Sequence, residues 1–240
     1  MAQVPWQLWP ALAARVDLFA SKVDLVELYR GYSWERDTYT AGFPDILRLE
    51  MQLGSRGRKD GITLEDIRDV AKWGHLRNQA RIEGPAFPLR RSDLYDSQGK
   101  PKAATESLVL EPLHALGRTT QGLGPTYLSK VLRFALPEHY GAIDSRCVRV
   151  FGKGDPRAQQ HDWLTLKASN YGSGWAILET QRAWPDDYAL WVTILHYVAS
   201  QMPVPCPHPR AFIKARLRQP GQWTCADMEM ALFTYATRSL

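Results

Sequence analysis

The residues of this 240-residue chain best suited to chemistry lie within "GLGPTYLSKVLRFALPEHYGAID", residues 122–144. Two glycines flank one leucine, an apolar run follows with Lys130 inside it, and Asp144 closes the stretch. A glycine turn ahead of a helix presents successive backbone N–H groups to an anion, and glycine removes the side chains that would hold a phosphate away. Such turns also serve as plain connections, so the turn alone is a weak signal. Asp144 can cap a helix that starts at Ser145. A carboxylate is equally what cleavage of an N-glycosidic bond requires, because positive charge builds on the sugar and a nearby anion stabilises it or activates water. Lys130 offers an amine nucleophile; otherwise it is a phosphate contact or a solvated helix charge.

Charge gathers in the same region. From Arg118 to Arg157 seven bases face three acids, so a net +4 of the chain's formal +5 sits in one sixth of its length. The total is modest for a nucleic-acid binder, but its distribution makes this stretch the positive one.

Helices must hold these residues. Leu12, Val16, Phe19, Val23, Val26 and Leu28 recur at near-helical spacing, which predicts one amphipathic helix from Pro10 to Tyr29. A second runs from Pro44 to Leu53 and is broken by "GSRGRKDG". Thr63 followed by Asp66 forms a capping box for a helix ending at Gly74. Residues 84–104, rich in proline, glycine and charge, read as a long surface loop. "TESLVLEPLHALG" and "GPTYLSKVLRFAL" make two helices joined by the glycine turn, with Pro125 at the first helical position. A short helix "SRCVRVFG", one or two helices within 174–200 interrupted at Pro185, and a last helix "TCADMEMALFTYATR" complete the reading. Strand-like alternation is nearly absent, so the predicted class is all-α.

With these elements in place, "GLGPT…AIDSR" resembles the helix-hairpin-helix and catalytic-aspartate signature of the endonuclease III and 8-oxoguanine DNA glycosylase superfamily. The twenty residues from Gly124 to Asp144 fit that family's register. The likeness is specific from Arg118 to Val150 and architectural elsewhere. It implies two helical lobes about a DNA-binding cleft, residues 30–137 forming one and residues 1–29 with 138–240 the other. It also implies that the hairpin amides at Gly122, Gly124 and Thr126 hold a DNA phosphate, in that superfamily often with a monovalent cation, and no cofactor. Asp144 would then act on a nucleotide flipped out of the stack. Members that also cleave the strand carry a Schiff-base lysine two residues after the second glycine, and this chain has Thr126 there. Lys130 stands one helical turn further on, as a displaced nucleophile. The expectation is a monofunctional glycosylase that leaves an abasic site. The alternatives are a glycosylase and lyase using Lys130, or a catalytically silent DNA-binding protein.

Other contacts follow from the same resemblance. Arg146 and Arg149 add positive field, while Arg56, Arg58 and Lys59 stand where a loop would enter the duplex or grip phosphates. "KWGHLRNQAR" groups Trp73, His75, Arg77 and Asn78, and a flipped base needs an aromatic face with polar groups for its edge. Trp73, Trp34 and Trp223 are the candidate stacking residues among nine tryptophans. No residue chooses between an oxidised purine and an enzymatically modified base of viral DNA as the target.

Three cysteines, Cys147, Cys206 and Cys225, are too few for the four-cysteine iron–sulfur cluster that some members carry. Their odd number and irregular spacing predict free thiols in a reducing compartment. A zinc site from Cys206, His208 and Cys225 has suitable ligand types, but "CPHP" lacks the paired spacing and a fourth ligand, so no metal is expected. His161 is expected at the surface and His196 in the core. With no basic leader and no run of about 18 apolar residues, the reading is a soluble, cytosolic monomer with double-stranded DNA as partner and no membrane association.

Overall fold

A computed structural model of the chain describes residues 7–54, 61–77, 79–84, 89, 96, 105–172 and 174–240. Helix dominates. Helices α1 (Pro10–Ala20) and α2 (Leu25–Arg30) replace the single helix expected from Pro10 to Tyr29. The break has a local cause: the Asp24 carboxylate accepts from Glu27 N–H at 2.9 Å and caps α2, so it starts a new helix.

A short hairpin, β1 (Ser33–Trp34) with β2 (Asp37–Thr38), leads into α3 (Pro44–Leu53). Then comes α4 (Leu64–Trp73), which starts on the predicted Thr63–Asp66 capping box. The paired helices α5 (Thr105–Thr119) and α6 (Pro125–Ala135) flank the glycine turn as expected, and Asp144 caps α7 (Ser145–Phe151). Residues 174–177 do not join the next helix. Instead β3 (Ala168–Asn170) and β4 (Trp175–Ile177) pair antiparallel, and α8 (Asp186–Gln201) starts only after Pro185. The short α9 (Arg210–Lys214) and the long α10 (Cys225–Arg238) complete the order.

The core explains why α10 is central. Nearly every residue from Cys225 to Thr234 is buried, and α10 packs on α2, α7 and α8 at once. Trp191, Tyr188 and Phe151 fill the space beside it, each fully buried. The three thiols are free and buried.

Charge also enters this core. Glu50 of α3 is fully buried and accepts from Arg133 of α6 at 2.8 Å and from Arg218 at 2.6 and 3.0 Å. Arg218 in turn binds Asp227, the capping-box residue of α10, at 3.0 Å. The network ties α3, α6 and α10 together, and removing one partner would strand a buried charge at a cost of roughly 3–5 kcal/mol.

Candidate active site

The glycine turn differs at its two glycines. Gly122 has φ +80, and a Cβ there would lie 2.5 Å from the Arg81 carbonyl oxygen, so the fold itself requires glycine. Gly124 has φ −89, ψ 178, and a Cβ there would meet nothing within 4 Å. The fold therefore gives no reason for glycine at 124. Gly124 is the N-cap of α6, no side chain caps that end, and the space over it is open to an approaching anion.

One turn into α6, Lys130 is buried, its side chain 9% exposed. Its Nζ lies 5.5, 5.3 and 5.2 Å from the ring centres of Trp34, Trp73 and Tyr127. It is therefore not a solvated helix charge. Helical side chains lean toward the N-terminus, so Lys130 reaches back along the face it shares with Thr126. Burial lowers its amine pKa, opposed by the charges of Asp144 and Glu229. A lowered pKa leaves more of the amine neutral and nucleophilic at neutral pH.

The two oxygens of Asp144 face different groups. Oδ1 accepts from Arg146 N–H at 3.0 Å and caps α7, while Oδ2 lies 3.9 Å from Lys130 Nζ. The extended segment before it is pinned from three sides. Ser129 Oγ accepts from Ile143 N–H at 3.0 Å, Trp191 donates to Ala142 O at 2.9 Å and Tyr188 donates to Gly141 O at 3.2 Å. Ser129 adjoins Lys130 in α6, so one hydrogen bond sets the register between the amine and the carboxylate.

Both groups open on a small pocket of about 20 Å³, room for a water rather than a base, with Trp34, Trp73, Phe233 and Tyr32 among its walls and Arg133 and Glu229 also lining it. The Trp73 indole donates to Asp37 Oδ2 at 2.8 Å, and Asp37 Oδ1 accepts the Asp45 and Ile46 amides at the start of α3, at 2.8 and 3.1 Å. The Trp34 indole donates to Trp73 O at 3.1 Å. The aromatic walls are thus held by hydrogen bonds as well as packing. Burial pushes Glu229 up to about 7, with Arg133 and Lys130 opposing the rise. Arg146 lies across the Trp34 and Phe233 rings at 5.3 and 5.4 Å, and its guanidinium is 3.6 Å from Asp144 Oδ1.

Asp144, Lys130, Trp34, Trp73 and Arg146 therefore meet at one site. Trp223 does not join them: it is buried, donates to Val204 O at 2.8 Å and packs against Tyr29. Arg149 points elsewhere, to Asp155 at 2.7 Å and the Trp175 ring. His161 is half-buried among Phe19, Phe151, Trp163 and Tyr235 rather than at the surface. Arg56, Arg58, Lys59 and Asn78 lie outside the described residues, as does most of the 84–104 loop. Sequence reasoning missed Tyr32, Arg133, Glu229 and Phe233. The available signal was Glu229 and Phe233, four apart and so on one face of α10.

Cys206, His208 and Asp227 come together, their ligand atoms within 4.8 Å of one another. Cys225 is not with them; its Sγ is directed at Val192 O. Both Asp227 oxygens already accept from Arg218, and one also accepts from Thr224 N–H and hydroxyl, so this carboxylate is committed to the buried charge network. No described helix is long and apolar enough to cross a membrane. Comparisons with protein families, with curated proteins and with solved structures return no match.

Proposed function

We propose that this protein is a DNA glycosylase that draws one damaged or modified base out of the duplex and releases it. The observation that carries the reading is the meeting of Lys130 Nζ and Asp144 Oδ2, 3.9 Å apart, at an aromatic-walled pocket, with Lys130 on the helix that starts at the uncapped glycine turn. The turn would hold a backbone phosphate and the sugar would face Asp144, with the base entering between Trp34, Trp73 and Phe233 once these side chains part, since the pocket as it stands has room for about one water. Glu229 supplies a polar group for the base edge, while Arg133 stays in the buried charge network, its Nε 3.6 Å from the Glu229 carboxylate, and the cleft between two lobes belongs to this same reading.

The geometry favours the glycosylase and lyase ending over the hydrolytic ending that Thr126 suggested. A desolvated amine beside a carboxylate can attack C1′ while the glycosidic electron pair leaves with the base, which takes up a proton. Asp144 accepts a proton from the attacking nitrogen, and ring opening with release of O4′ then gives the imine. Loss of a C2′ proton breaks the 3′ C–O bond. No cofactor enters this sequence.

Borohydride reduction in the presence of a duplex carrying an abasic site tests the amine without knowledge of the target base. A covalent adduct with the wild type and none with Lys130→Gln is expected. Base release without an adduct would leave hydrolysis through Asp144. Duplexes carrying a panel of oxidised and hypermodified bases then test excision itself, and release undiminished in Asp144→Asn would refute the reading.

A further inference from the structure

The group formed by Cys206, His208 and Asp227 has no part in the candidate pocket, since none of the three lines it. Cys206 Sγ lies 3.5 Å from His208 Nδ1, and His208 Nδ1 lies 3.8 Å from Asp227 Oδ2. All three side chains are buried. The backbone that carries two of them is stiff. Pro205, Pro207 and Pro209 flank Cys206 and His208, His208 N–H donates to Cys206 O at 3.0 Å, and Cys206 N–H donates to Gly221 O at 2.9 Å.

The second nitrogen of His208 fixes the state of the first. Nε2 lies 2.8 Å from Gln222 O, and a carbonyl oxygen only accepts, so Nε2 carries a proton. In the neutral ring the Nδ1 lone pair then faces the Asp227 carboxylate. Two electron-pair donors 3.8 Å apart and out of water call for a cation between them. Ligands around a tetrahedral zinc with bonds of roughly 2.0–2.3 Å stand roughly 3.3–3.8 Å apart, close to the two distances above. The surroundings fit the same purpose. Imidazoles that bind metal commonly donate their other N–H to a backbone carbonyl, and ligating carboxylates are hydrogen-bonded in turn. His208 has Gln222 O, and Asp227 has Arg218 Nε and the Thr224 hydroxyl, so the contacts that commit Asp227 to the charge network also orient it. A thiolate with an imidazole selects zinc over calcium or magnesium, which take oxygen ligands.

We propose that Cys206 Sγ, His208 Nδ1 and Asp227 Oδ2 bind one zinc ion, with water in the fourth position. The Cys206 thiol proton passes to solvent as the Zn–S bond forms. The fold supplies Asp227 where the sequence offered Cys225, whose Sγ is directed at Val192 O. The ion is structural: it pins residues 205–209 to the start of α10 and, through Asp227, Arg218 and Glu50, steadies Arg133 at the pocket wall. The site stands independently of the base-excision reading.

The test uses the whole chain, stripped with a chelator and then given Zn²⁺ or, as a spectroscopic probe, Co²⁺. Equimolar Co²⁺ should produce a thiolate-to-cobalt charge-transfer band together with the visible bands of a tetrahedral site, and Zn²⁺ should bleach both. Cys206→Ser should abolish the charge-transfer band, whereas Cys225→Ala should keep it. His208→Gln should weaken Co²⁺ binding at least about tenfold. Zinc at about a hundred times its Kd should raise the wild-type Tm by roughly 5–10 °C and leave that of Cys206→Ser unchanged. A wild type that shows neither the band nor the rise in Tm would overturn the site and leave a protonated His208 beside Asp227. A charge-transfer band that persists in Cys206→Ser, or Co²⁺ binding of undiminished affinity in His208→Gln, would overturn it equally by placing the metal elsewhere.

Discussion

Replacing Glu229 by glutamine tests whether the carboxyl lining the pocket is protonated when the protein is folded. Burial raises this group from 4.5 to about 7, against the pull of Arg133 and Lys130. A folded pKa above the unfolded one means that the protonated form stabilises the fold. That contribution is complete below about pH 4.5 and disappears as pH rises through about 7. Between about pH 5 and pH 8 the linkage relation gives a loss of roughly 2–3 kcal/mol from this one group. Urea unfolding of the wild type and Glu229→Gln at both pH values measures it, with the slope m unchanged between the proteins. The wild type should lose roughly 2–3 kcal/mol more than the variant over that interval. If the two lose stability in parallel, Glu229 is ionised throughout, and the account of the pocket's charge given above is wrong. The consequence for function is direct: a neutral Glu229 can donate a hydrogen bond to a base edge, and an ionised one cannot.

Two further outcomes follow from the geometry. Gly124→Ala should change folding stability by less than about 1 kcal/mol, because its Cβ meets nothing, yet weaken DNA binding about tenfold by crowding the phosphate position. Gly122→Ala should instead cost about 1–3 kcal/mol of stability by strain at positive φ, and the pair can be compared by thermal unfolding and filter binding. Glu50→Ala leaves the Arg133 and Arg218 charges without their shared buried partner, and a chemical denaturation curve should record a loss of roughly 3–5 kcal/mol.

The base-excision reading also makes sense of the unequal glycines. A turn that only connected α5 to α6 would need Gly122 and tolerate a side chain at 124. Open space at an uncapped helix end is what a bound phosphate would occupy.

Local signals in the sequence determined most of the helices. The Thr63–Asp66 capping box, Pro44 and Pro125 at first helical positions, and Asp144 ahead of "SRCVRVF" each mark a helix start through chemistry confined to a few residues. The same locality put Lys130 on the helical face of Thr126 and fixed the distance from Gly124 to Asp144. It failed where two local signals competed, as at Asp24, whose cap divides a continuous apolar stripe into α1 and α2. It failed again at 168–177, where a three-residue strand pairing is too short to announce itself by alternation.

Tertiary structure alone decided the environment of each candidate. Lys130 and Trp223 are both buried, and only packing across α3, α4, α6 and α10 puts one beside Asp144 and the other against Tyr29. Glu229 and Arg133 look in sequence like ordinary helix charges. Their place in the pocket follows from the buried Glu50–Arg133–Arg218–Asp227 network, whose partners are up to 168 residues apart in the chain. The reason is physical: spacing along a helix fixes which side chains share a face, but the charge state and reactivity of a side chain depend on its desolvation and its charged neighbours, and those come from the far end of the chain.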